Sequence, residues 1–394
     1  MPILRAFAVS CLTVLLAAAL PAQTHSHAPK STPTIAPIVV GYVFPQNAAL
    51  QPGEIDAQRL TRINYAFANI DNGRMITGFA KDVENFAYLN NLKRQNPSLV
   101  VLVSVGGWLW STNFSDVSLT PASRQTFIDS VMDFLARYHL DGLDIDWEYP
   151  GMVGAGHPFR PEDKQNFTLL LAELRSRFDK ETRKTHHHLY LTIAAGASSE
   201  FLEHTEMAKV QQYVDTVNLM AYDYYEPSSD KITGHHAPLY TSPTDPKKIS
   251  SDESVHEFEA AGVPSEKLVL GLPFYGHEWG QVDDQSHGLF QPGKPIPHAY
   301  ANYGAITSTM LTPSSGFTRY WDPVASVPYL YNAQTRTFVT YDDPQSIAIK
   351  CQYVLSHRLG GVMFWDYSGD PTGALLGAID RSFHQPEAKG SSRP

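Results

Sequence analysis

The sequence of 394 residues contains only two cysteines, Cys11 and Cys351, so a disulfide framework is not available to hold it together. Charged residues make up 18% of the chain, and the 40 acidic residues outnumber the 30 lysines and arginines. The sequence therefore lacks the positive field that attracts nucleic-acid phosphates. It also lacks, beyond residue 22, any apolar run long enough to cross a membrane. We expect neither a nucleic-acid partner nor a membrane-spanning segment after that point.

Apolar residues are abundant, at 43% of the chain, and 20 Tyr, 19 Phe and 6 Trp make aromatic side chains frequent. A chain of this length and apolar content can bury a substantial core, which excludes intrinsic disorder for most of it. We expect one folded region over residues 38–384. It is flanked by a leader rich in Pro, Ser, Thr and His at residues 23–37 and by a polar, disordered tail at residues 385–394.

The first 22 residues have the pattern of a secretory signal peptide. Arg5 carries their one positive charge, an apolar run extends from Ala6 to Leu20, and Pro21-Ala22 follows. A membrane anchor is the alternative, but the run is shorter than the ~20 residues that span a bilayer. We therefore expect cleavage after Ala22 and a secreted protein, either periplasmic or extracellular. The mature chain would keep only Cys351.

Eight short apolar runs recur along residues 38–384, and most are continuous rather than alternating, which is typical of parallel strands covered on both faces. The predicted strands are Ile38–Tyr42, Ile63–Ile70, Leu99–Val105, Gly142–Trp147, Leu189–Ala195, Thr216–Tyr222, Leu268–Phe274 and Gly361–Trp365.

Helical patterns fill most of the intervals between these strands. The segment Pro121–His139 has one apolar face and follows Thr120, a suitable N-cap, and the segment Pro161–Lys180 has a similar face. Strands that alternate with helices eight times predict an α/β fold, the (β/α)8 TIM barrel. An open doubly wound sheet is the alternative, but no glycine-rich nucleotide turn follows the first strand. Residues 276–340 predict a small α+β insertion, and a helix is expected over Asp343–Leu359.

The segment Asp141–Pro150 (DGLDIDWEYP) carries the clearest chemical signal. Side chains alternate faces along a strand, so Asp144, Asp146 and Glu148 share one face and form a carboxylate ladder. Inward carboxylates cannot all ionise cheaply, so their pKa values must be driven apart. A solvated edge strand and a metal site are the alternatives. Ile145 and Trp147 on the other face argue against the first, and the difficulty of closing a site from one straight strand argues against the second.

At these residues the sequence resembles glycoside hydrolase family 18, the chitinases and their relatives. The ladder matches the family's Asp-x-x-Asp-x-Asp-x-Glu signature, and the resemblance extends over most of residues 38–383. Further matching motifs follow in the family's order at Ser104–Trp108, Met220–Asp223, Leu270–Gly276 and Trp365.

The resemblance implies a retaining hydrolase in which the substrate's own acetamido oxygen is the nucleophile. Glu148 would act as general acid and then as general base. Asp146 would bind the acetamido N–H and stabilise an oxazolinium intermediate, and Asp144 would share a proton with Asp146. Tyr222 would orient the acetamido carbonyl, while Asp141 would have a structural role near the start of the strand. The implied substrate-binding residues are Tyr42, Phe67, Gly106, Gly107, Trp108, Tyr149, Met220, Asp223 and Trp365.

One departure from the family concerns His277, which stands where many relatives have arginine. We expect the histidine run at residues 186–188 to be solvated on the barrel face opposite the site, and His235-His236 to have at most a contact with substrate. Neither run implies a metal, and no cofactor is expected. The resulting expectation is a monomeric, secreted chitinase that binds chitin or chito-oligosaccharide. The alternatives are a chitin-binding lectin on the same fold and a hydrolase of peptidoglycan or of the N-glycan core.

Overall fold

The computed structural model describes residues 36–384. The expected signal peptide, all but the last two residues of the expected leader, and the expected tail lie outside this range. The described residues contain fourteen strands: β1 (Ile38–Val43), β2 (Arg62–Asp71), β3 (Arg74–Ile76), β4 (Val100–Gly106), β5 (Gly142–Asp146), β6 (Tyr190–Gly196), β7 (Thr216–Met220), β8 (Leu268–Pro273), β9 (Tyr275–Gly280), β10 (Lys294–Asn302), β11 (Thr318–Asp322), β12 (Val327–Asn332), β13 (Thr337–Thr340) and β14 (Gly361–Trp365).

The α-helices of the same range lie between these strands and after the last of them. They are α1 (Asp82–Leu92), α2 (Phe114–Leu119), α3 (Pro121–Tyr138), α4 (Asp163–Thr185), α5 (Ser199–Glu203), α6 (Met207–Val210), α7 (Ser251–Ala260), α8 (Tyr303–Ala305), α9 (Pro344–His357) and α10 (Ala374–His384).

Eight of the strands close into a parallel barrel. Its order is β1-β14-β8-β7-β6-β5-β4-β2, and pairing of β1 with β2 closes the ring, while β3 adds an antiparallel hairpin to β2. The sequence therefore predicted the fold class correctly, because each barrel strand overlaps one of the eight predicted runs. Carboxyl ends of parallel strands meet at one mouth, which is where barrel active sites lie.

Two predicted elements, one strand and one helix, had boundaries that were wrong by a few residues. The strand expected over Thr216–Tyr222 ends at Met220, because the amides of Ala221 and Tyr222 turn back to the carbonyls of Leu219 and Met220, each at 2.8 Å. Tyr222 therefore lies beyond the end of β7 and is not part of that strand.

The helix expected over Pro161–Lys180 begins at Asp163 and runs to Thr185. Its start is displaced because the Asp163 carboxylate accepts a 2.7 Å bond from the amide of Arg160, which holds the preceding residues in a turn. The α3 helix begins at Pro121 as predicted, with reciprocal hydrogen bonds between Thr120 and Ser123 that satisfy its first amides.

A second sheet lies between β8 and α9, where the sequence indicates an α+β insertion. It has five antiparallel strands in the order β10-β9-β13-β12-β11. Only Phe274 separates β8 from β9, and its amide donates a 2.7 Å bond to the carbonyl of Trp365. Because β9 continues from the carboxyl end of a barrel strand, this sheet starts at the barrel's mouth.

The helices between residues 36 and 384 include none that is both long enough and apolar enough to span a bilayer. Cys351 is a free, buried thiol in α9, and burial raises its pKa to about 12, so it is an unreactive core residue.

Candidate active site

Asp144 lies at the centre of β5 and is completely buried. Its carboxylate accepts hydrogen bonds from side chains of four other barrel strands. The donors are the hydroxyls of Tyr42 (2.9 Å), Ser104 (2.8 Å) and Thr192 and the amide of Asn218 (3.1 Å). Burial raises the pKa of Asp144, and the bonds from Thr192, Ser104 and Tyr42 oppose that rise. A carboxyl group with so many donors is held in a fixed position beneath the site.

Asp146 ends β5 and is buried on the mouth side of Asp144. Its Oδ1 atom has no hydrogen-bond partner among residues 36–384. Burial raises its pKa well above the ordinary value, and the negative charges of Glu148 and Asp144 raise it further. The sequence predicts that the pKa values of these carboxyls are driven apart, and in the structure the pKa values of Asp144, Asp146 and Glu148 are all raised. A buried carboxyl with a free oxygen is suited to accept a hydrogen bond from a ligand.

Glu148 lies two residues beyond the end of β5, at the barrel's carboxyl mouth. Its backbone amide donates a 2.9 Å bond to the hydroxyl of Ser111, and that hydroxyl also bonds the carbonyls of Gly107 (2.9 Å) and Asp146 (3.2 Å). Burial, with added repulsion from Asp223 and from Glu226, raises the pKa of Glu148 to about 7. The group can therefore hold a proton near neutral pH and release it.

Gly106 and Gly107 stand where side chains would not fit. Gly106 has φ of +106°, and a Cβ there would lie 2.2 Å from the carbonyl oxygen of Asp146. Gly107 has φ of +77°, and its Cβ would meet the Phe67 ring at 2.6 Å. These glycines let the loop after β4 lie directly against the end of β5, which fixes the backbone that carries Asp146 and Glu148.

An aromatic group lines the mouth around Trp365, the last residue of β14. Phe67 stacks on its ring with centroids 5.5 Å apart, Tyr42 lies at 5.8 Å and Phe44 at 5.4 Å. The sequence analysis did not identify Phe44. Its position two residues after Tyr42, on the same face of an extended segment, is the signal that could have found it.

Tyr222 and Met220 belong to the same apolar cluster as Tyr42, Phe67 and Trp365, and both are half-buried. The Tyr222 hydroxyl lies 3.9 Å from the sulfur of Met363. Burial raises the pKa of Tyr222 well above 10, so the hydroxyl stays protonated and can donate.

Trp108 and Tyr149 extend the aromatic surface outwards. Trp108 is 50% exposed, and its ring centroid lies 6.5 Å from that of Tyr149. His157 bonds the Trp108 carbonyl at 2.7 Å, which ties this segment to the loop after β5. The structure thus brings the predicted site residues of β1, β2, β4, β5, β7 and β14 to one mouth.

Asp223 follows Tyr222, and its Oδ1 atom accepts bonds from the hydroxyl of Tyr275 (2.7 Å) and from Nε2 of His277 (2.8 Å). The Nδ1 atom of His236 lies 3.6 Å from the same oxygen. Burial acts to raise the pKa of Asp223, but the nearby His236 and His277 rings outweigh it and hold that pKa below its ordinary value. Burial lowers the pKa of His236 to about 4, so this ring is neutral.

The sequence analysis did not predict that His236 and His277 meet at Asp223. A signal was present: Asp223 and His277 each stand a few residues beyond the end of neighbouring barrel strands, β7 and β8. His235, by contrast, points to the second sheet, where its Nε2 lies 3.2 Å from Asp322. His235 and His236 are both buried.

Asp141 lies at the amino end of β5 and links structural elements there. It accepts bonds from the amide of Val101 (2.7 Å) and from Lys93 (2.6 Å), and His187 lies at 3.2 Å. The histidine run at residues 186–188 is exposed before β6, at the end of the barrel opposite the mouth. These placements agree with the structural role that the sequence analysis gives Asp141.

A closed parallel barrel that carries buried carboxylates and aromatic rings at its carboxyl mouth has the architecture of a TIM-barrel glycosidase. Residues 38–370 match the family model described as "Glycosyl hydrolases family 18". The chain belongs to this family.

Individual relatives agree with the family match. Chitinase A1 from Niallia circulans is 36% identical over an alignment of 432 residues, which covers 90% of this chain but 61% of that relative. A solved N-acetylglucosaminidase of the same family from Paenibacillus barengoltzii is 40% identical with a TM-score of 0.80, covering 88% of this chain and 99% of that one. A class V chitinase from Nicotiana tobaccum, solved in complex with NAG4, is 28% identical with a TM-score of 0.80, covering 88% of this chain and 99% of that one.

Proposed function

We propose that this protein is a secreted chitinase that hydrolyses β-1,4-linked N-acetylglucosamine with retention of configuration. The observation that carries the proposal is the pairing of Asp146, buried with a free oxygen, and Glu148, whose pKa lies near 7, at an aromatic-lined mouth. One group can bind a polar substituent of the sugar while the other exchanges a proton with the glycosidic oxygen. Substrate-assisted hydrolysis requires both functions.

Glu148 acts as the general acid and then as the general base. In its protonated form it donates a proton to the glycosidic oxygen, which lets the bond to the leaving sugar break. As a carboxylate it then takes a proton from the water that opens the intermediate. The Ser111 hydroxyl accepts a 2.9 Å hydrogen bond from the Glu148 amide. This bond keeps the backbone of Glu148 in a constant position through both steps.

Asp146 accepts the hydrogen bond of the acetamido N–H and stabilises the positive oxazolinium ring that forms when the acetamido oxygen attacks the anomeric carbon. Tyr222 donates its hydroxyl hydrogen to the acetamido oxygen and aligns it for attack, a proximity effect. Asp144 shares a proton with Asp146 from below, and its own donors keep its position fixed.

The sugar ring rests on Trp365, with Tyr42, Phe67 and Met220 around it. Aromatic faces pack on the apolar faces of sugar rings, which suits a neutral polysaccharide. Trp108 and Tyr149 contact the neighbouring sugar, and Asp223 bonds a hydroxyl or the acetamido group. Gly106 and Gly107 contribute to the substrate site through the loop after β4, which lies directly against the end of β5.

The relatives of this chain support a substrate made of N-acetylglucosamine. They include chitinases, an N-acetylglucosaminidase and a chitinase solved in complex with NAG4. The chain spans 61% of the length of the Niallia circulans chitinase, so the activity of the whole protein is part of the proposal.

Two other functions remain as outcomes of the test. A chitin-binding lectin would need no general acid, whereas Glu148 stands here with the whole ladder. A hydrolase of another N-acetylglucosamine glycan would use the same chemistry, and the likeness to an N-acetylglucosaminidase keeps end-directed cleavage open.

The deciding experiment is a product profile on chitin, chito-oligosaccharides, peptidoglycan and N-glycans, followed by chromatography of the products. Chitin and its oligomers should be cleaved fastest, with the β-anomer as the first product, as retention requires. Binding without cleavage would indicate the lectin, and faster cleavage of peptidoglycan or N-glycans would replace chitin as the substrate. Sequencing the amino terminus of the exported protein should find Gln23, and size-exclusion chromatography should give a monomer.

A further inference from the structure

Asp223, His236 and His277 converge on one side of the mouth. One oxygen or nitrogen of each residue lies within 4.8 Å of the atoms offered by the other two. The closest separations are 2.8 Å between Asp223 Oδ1 and His277 Nε2, and 3.6 Å between Asp223 Oδ1 and His236 Nδ1. A tetrahedral zinc ion with bonds of about 2.0–2.2 Å separates its ligand atoms by roughly 3.4 Å. The two Asp223 separations bracket that value, and the two imidazole nitrogens lie within 4.8 Å of each other.

The second observation is that the His236 ring is completely buried and that neither of its nitrogens has a hydrogen-bond partner among the described residues. A buried polar atom without a partner costs free energy, so such an atom in a native site calls for an explanation. Nδ1 of His236 faces the Asp223 carboxylate at a distance too long for a hydrogen bond but suitable for sharing an ion.

The surroundings also favour a cation. Oε1 of Glu226 lies 4.0 Å from Nε2 of His277, so a second carboxylate stands beside the cluster. Asp223 is 36% exposed, which leaves an approach from solvent. Two imidazoles and a carboxylate form a donor set typical of zinc sites that keep one position open.

We propose that Asp223, His236 and His277 form a site for a divalent transition metal such as Zn²⁺, and that occupation of this site inhibits the enzyme. The ion takes the place of the hydrogen between His277 Nε2 and Asp223, and in the neutral His277 ring that hydrogen moves to Nδ1. Inhibition follows because Asp223 can no longer bind the sugar, a step that rests on the proposed function. The metal has no part in the hydrolysis.

Cobalt provides a readout that does not depend on activity. Co²⁺ added to the metal-free protein should give the visible absorption of a tetrahedral nitrogen- and oxygen-ligated ion, and Zn²⁺ should abolish it by displacement. In the same preparation, Zn²⁺ should inhibit hydrolysis of a chito-oligosaccharide, and EDTA should restore the original rate. Added chito-oligosaccharide should weaken the binding of Co²⁺, since both ligands need Asp223.

The variant His277→Arg removes one ligand and introduces a positive charge. It should lose the Co²⁺ band, and its Zn²⁺ inhibition constant, measured against its own metal-free rate, should rise at least about 10-fold. His236→Gln serves as the second variant, and circular dichroism shows whether each is folded. The matched control is the double variant His187→Gln, His188→Gln, because these exposed histidines could bind metal elsewhere. The control should keep both the band and the inhibition.

Absence of a Co²⁺ band, or a band that persists unchanged in folded His277→Arg, would overturn the metal site. A band that is lost in His277→Arg, without inhibition by Zn²⁺ and without competition by the sugar, would overturn the inhibitory role. Failure of the metal-free protein to hydrolyse any of the tested glycans would instead reject the proposed function, while the cobalt spectrum would still support the site.

Discussion

The hydroxyl of Tyr42 donates a 2.9 Å hydrogen bond to Oδ2 of Asp144, joining residues that are 102 positions apart in the chain. The amide of Asn218 lies 3.1 Å from both the Tyr42 hydroxyl and Asp144 Oδ1, so three barrel strands share one polar network. Asp144 in this network lies two residues before Asp146 in β5, and the Tyr42 ring lies 5.8 Å from that of Trp365. It connects the stability of the barrel to the position of the candidate catalytic carboxylates.

Replacement of Tyr42 by phenylalanine should destabilise the protein and slow hydrolysis. The change removes a hydrogen bond to a buried carboxylate, worth about 1.5–3 kcal/mol, and it leaves Asn218 with one partner fewer. Urea unfolding measures the stability, and initial rates on a chito-oligosaccharide measure the activity. Tyr353→Phe is the matched control, because the Tyr353 hydroxyl donates a 2.8 Å hydrogen bond to Asp252. This pair does not lie at the mouth. The control should lose stability without a comparable loss of activity; equal effects on activity would contradict a local role for Tyr42.

Replacement of Glu148 by glutamine should abolish hydrolysis while chito-oligosaccharide still binds. The amide is close to the carboxyl group in size but cannot transfer a proton, and general acid–base catalysis contributes at least about 10²-fold. Rates and binding by calorimetry are measured on the same preparation. Glu266→Gln, an exposed change at the amino end of β8, should leave both unchanged. Substantial turnover by Glu148→Gln would reject the assignment of the acid.

Hydrolysis should decline as the pH rises through about 7. Glu148 has its pKa raised to about 7, so it is protonated below that pH and loses the proton needed for bond cleavage above it. The pH profile of kcat/KM for a soluble chito-oligosaccharide measures this limb. A rate that stays constant from pH 6 to pH 9 would be inconsistent with Glu148 as the acid at this pKa.

Glu226→Gln should move the same limb to lower pH. Glu226 carries a negative charge that raises the pKa of Glu148, and the neutral amide removes that repulsion. Since the acid then ionises more easily, activity should be lost at a lower pH than in the parent. Glu266→Gln again provides the control and should not shift the profile. A shift to higher pH would show that Glu226 acts by another route.

A thiazoline analogue of the oxazolinium intermediate should inhibit strongly. It reproduces the ring that forms when the acetamido oxygen attacks, and analogues of such states bind about 10²-fold or more tightly than substrate. Competition assays with a chito-oligosaccharide give the inhibition constant, and Asp146→Asn should weaken the inhibitor more than the substrate. Weak inhibition of the parent protein would argue against substrate assistance.

Treatment with EDTA should not lower the rate. The proposed steps use only side chains and the substrate, so a chelator removes nothing that they need. The rate is measured before and after dialysis against EDTA, with Ca²⁺ and Mg²⁺ added back. Loss of activity that either ion restores would require a catalytic metal.

The barrel and the carboxylate ladder were predictable because their signals are local. Near-continuous apolar runs identify strands that are covered on both faces, and strict alternation places Asp144 and Asp146 on the same face of β5. The ends of elements were less predictable: β7 stops at Met220 because two amides turn back on the preceding residues. Phe44 was missed because it lies beyond the end of β1, although its spacing of two residues from Tyr42 is a local signal.

The sequence by itself determined the order of strands, the face that carries the acids, and the family. Only the tertiary structure decided which side chains surround those acids. The donors to Asp144 come from β1, β4, β6 and β7, and His277 reaches Asp223 across 54 residues of chain. The physical reason is closure of the barrel. Strand alternation acts over neighbouring residues, whereas the partners of a buried charge are chosen by which strand ends meet when the ring of strands closes.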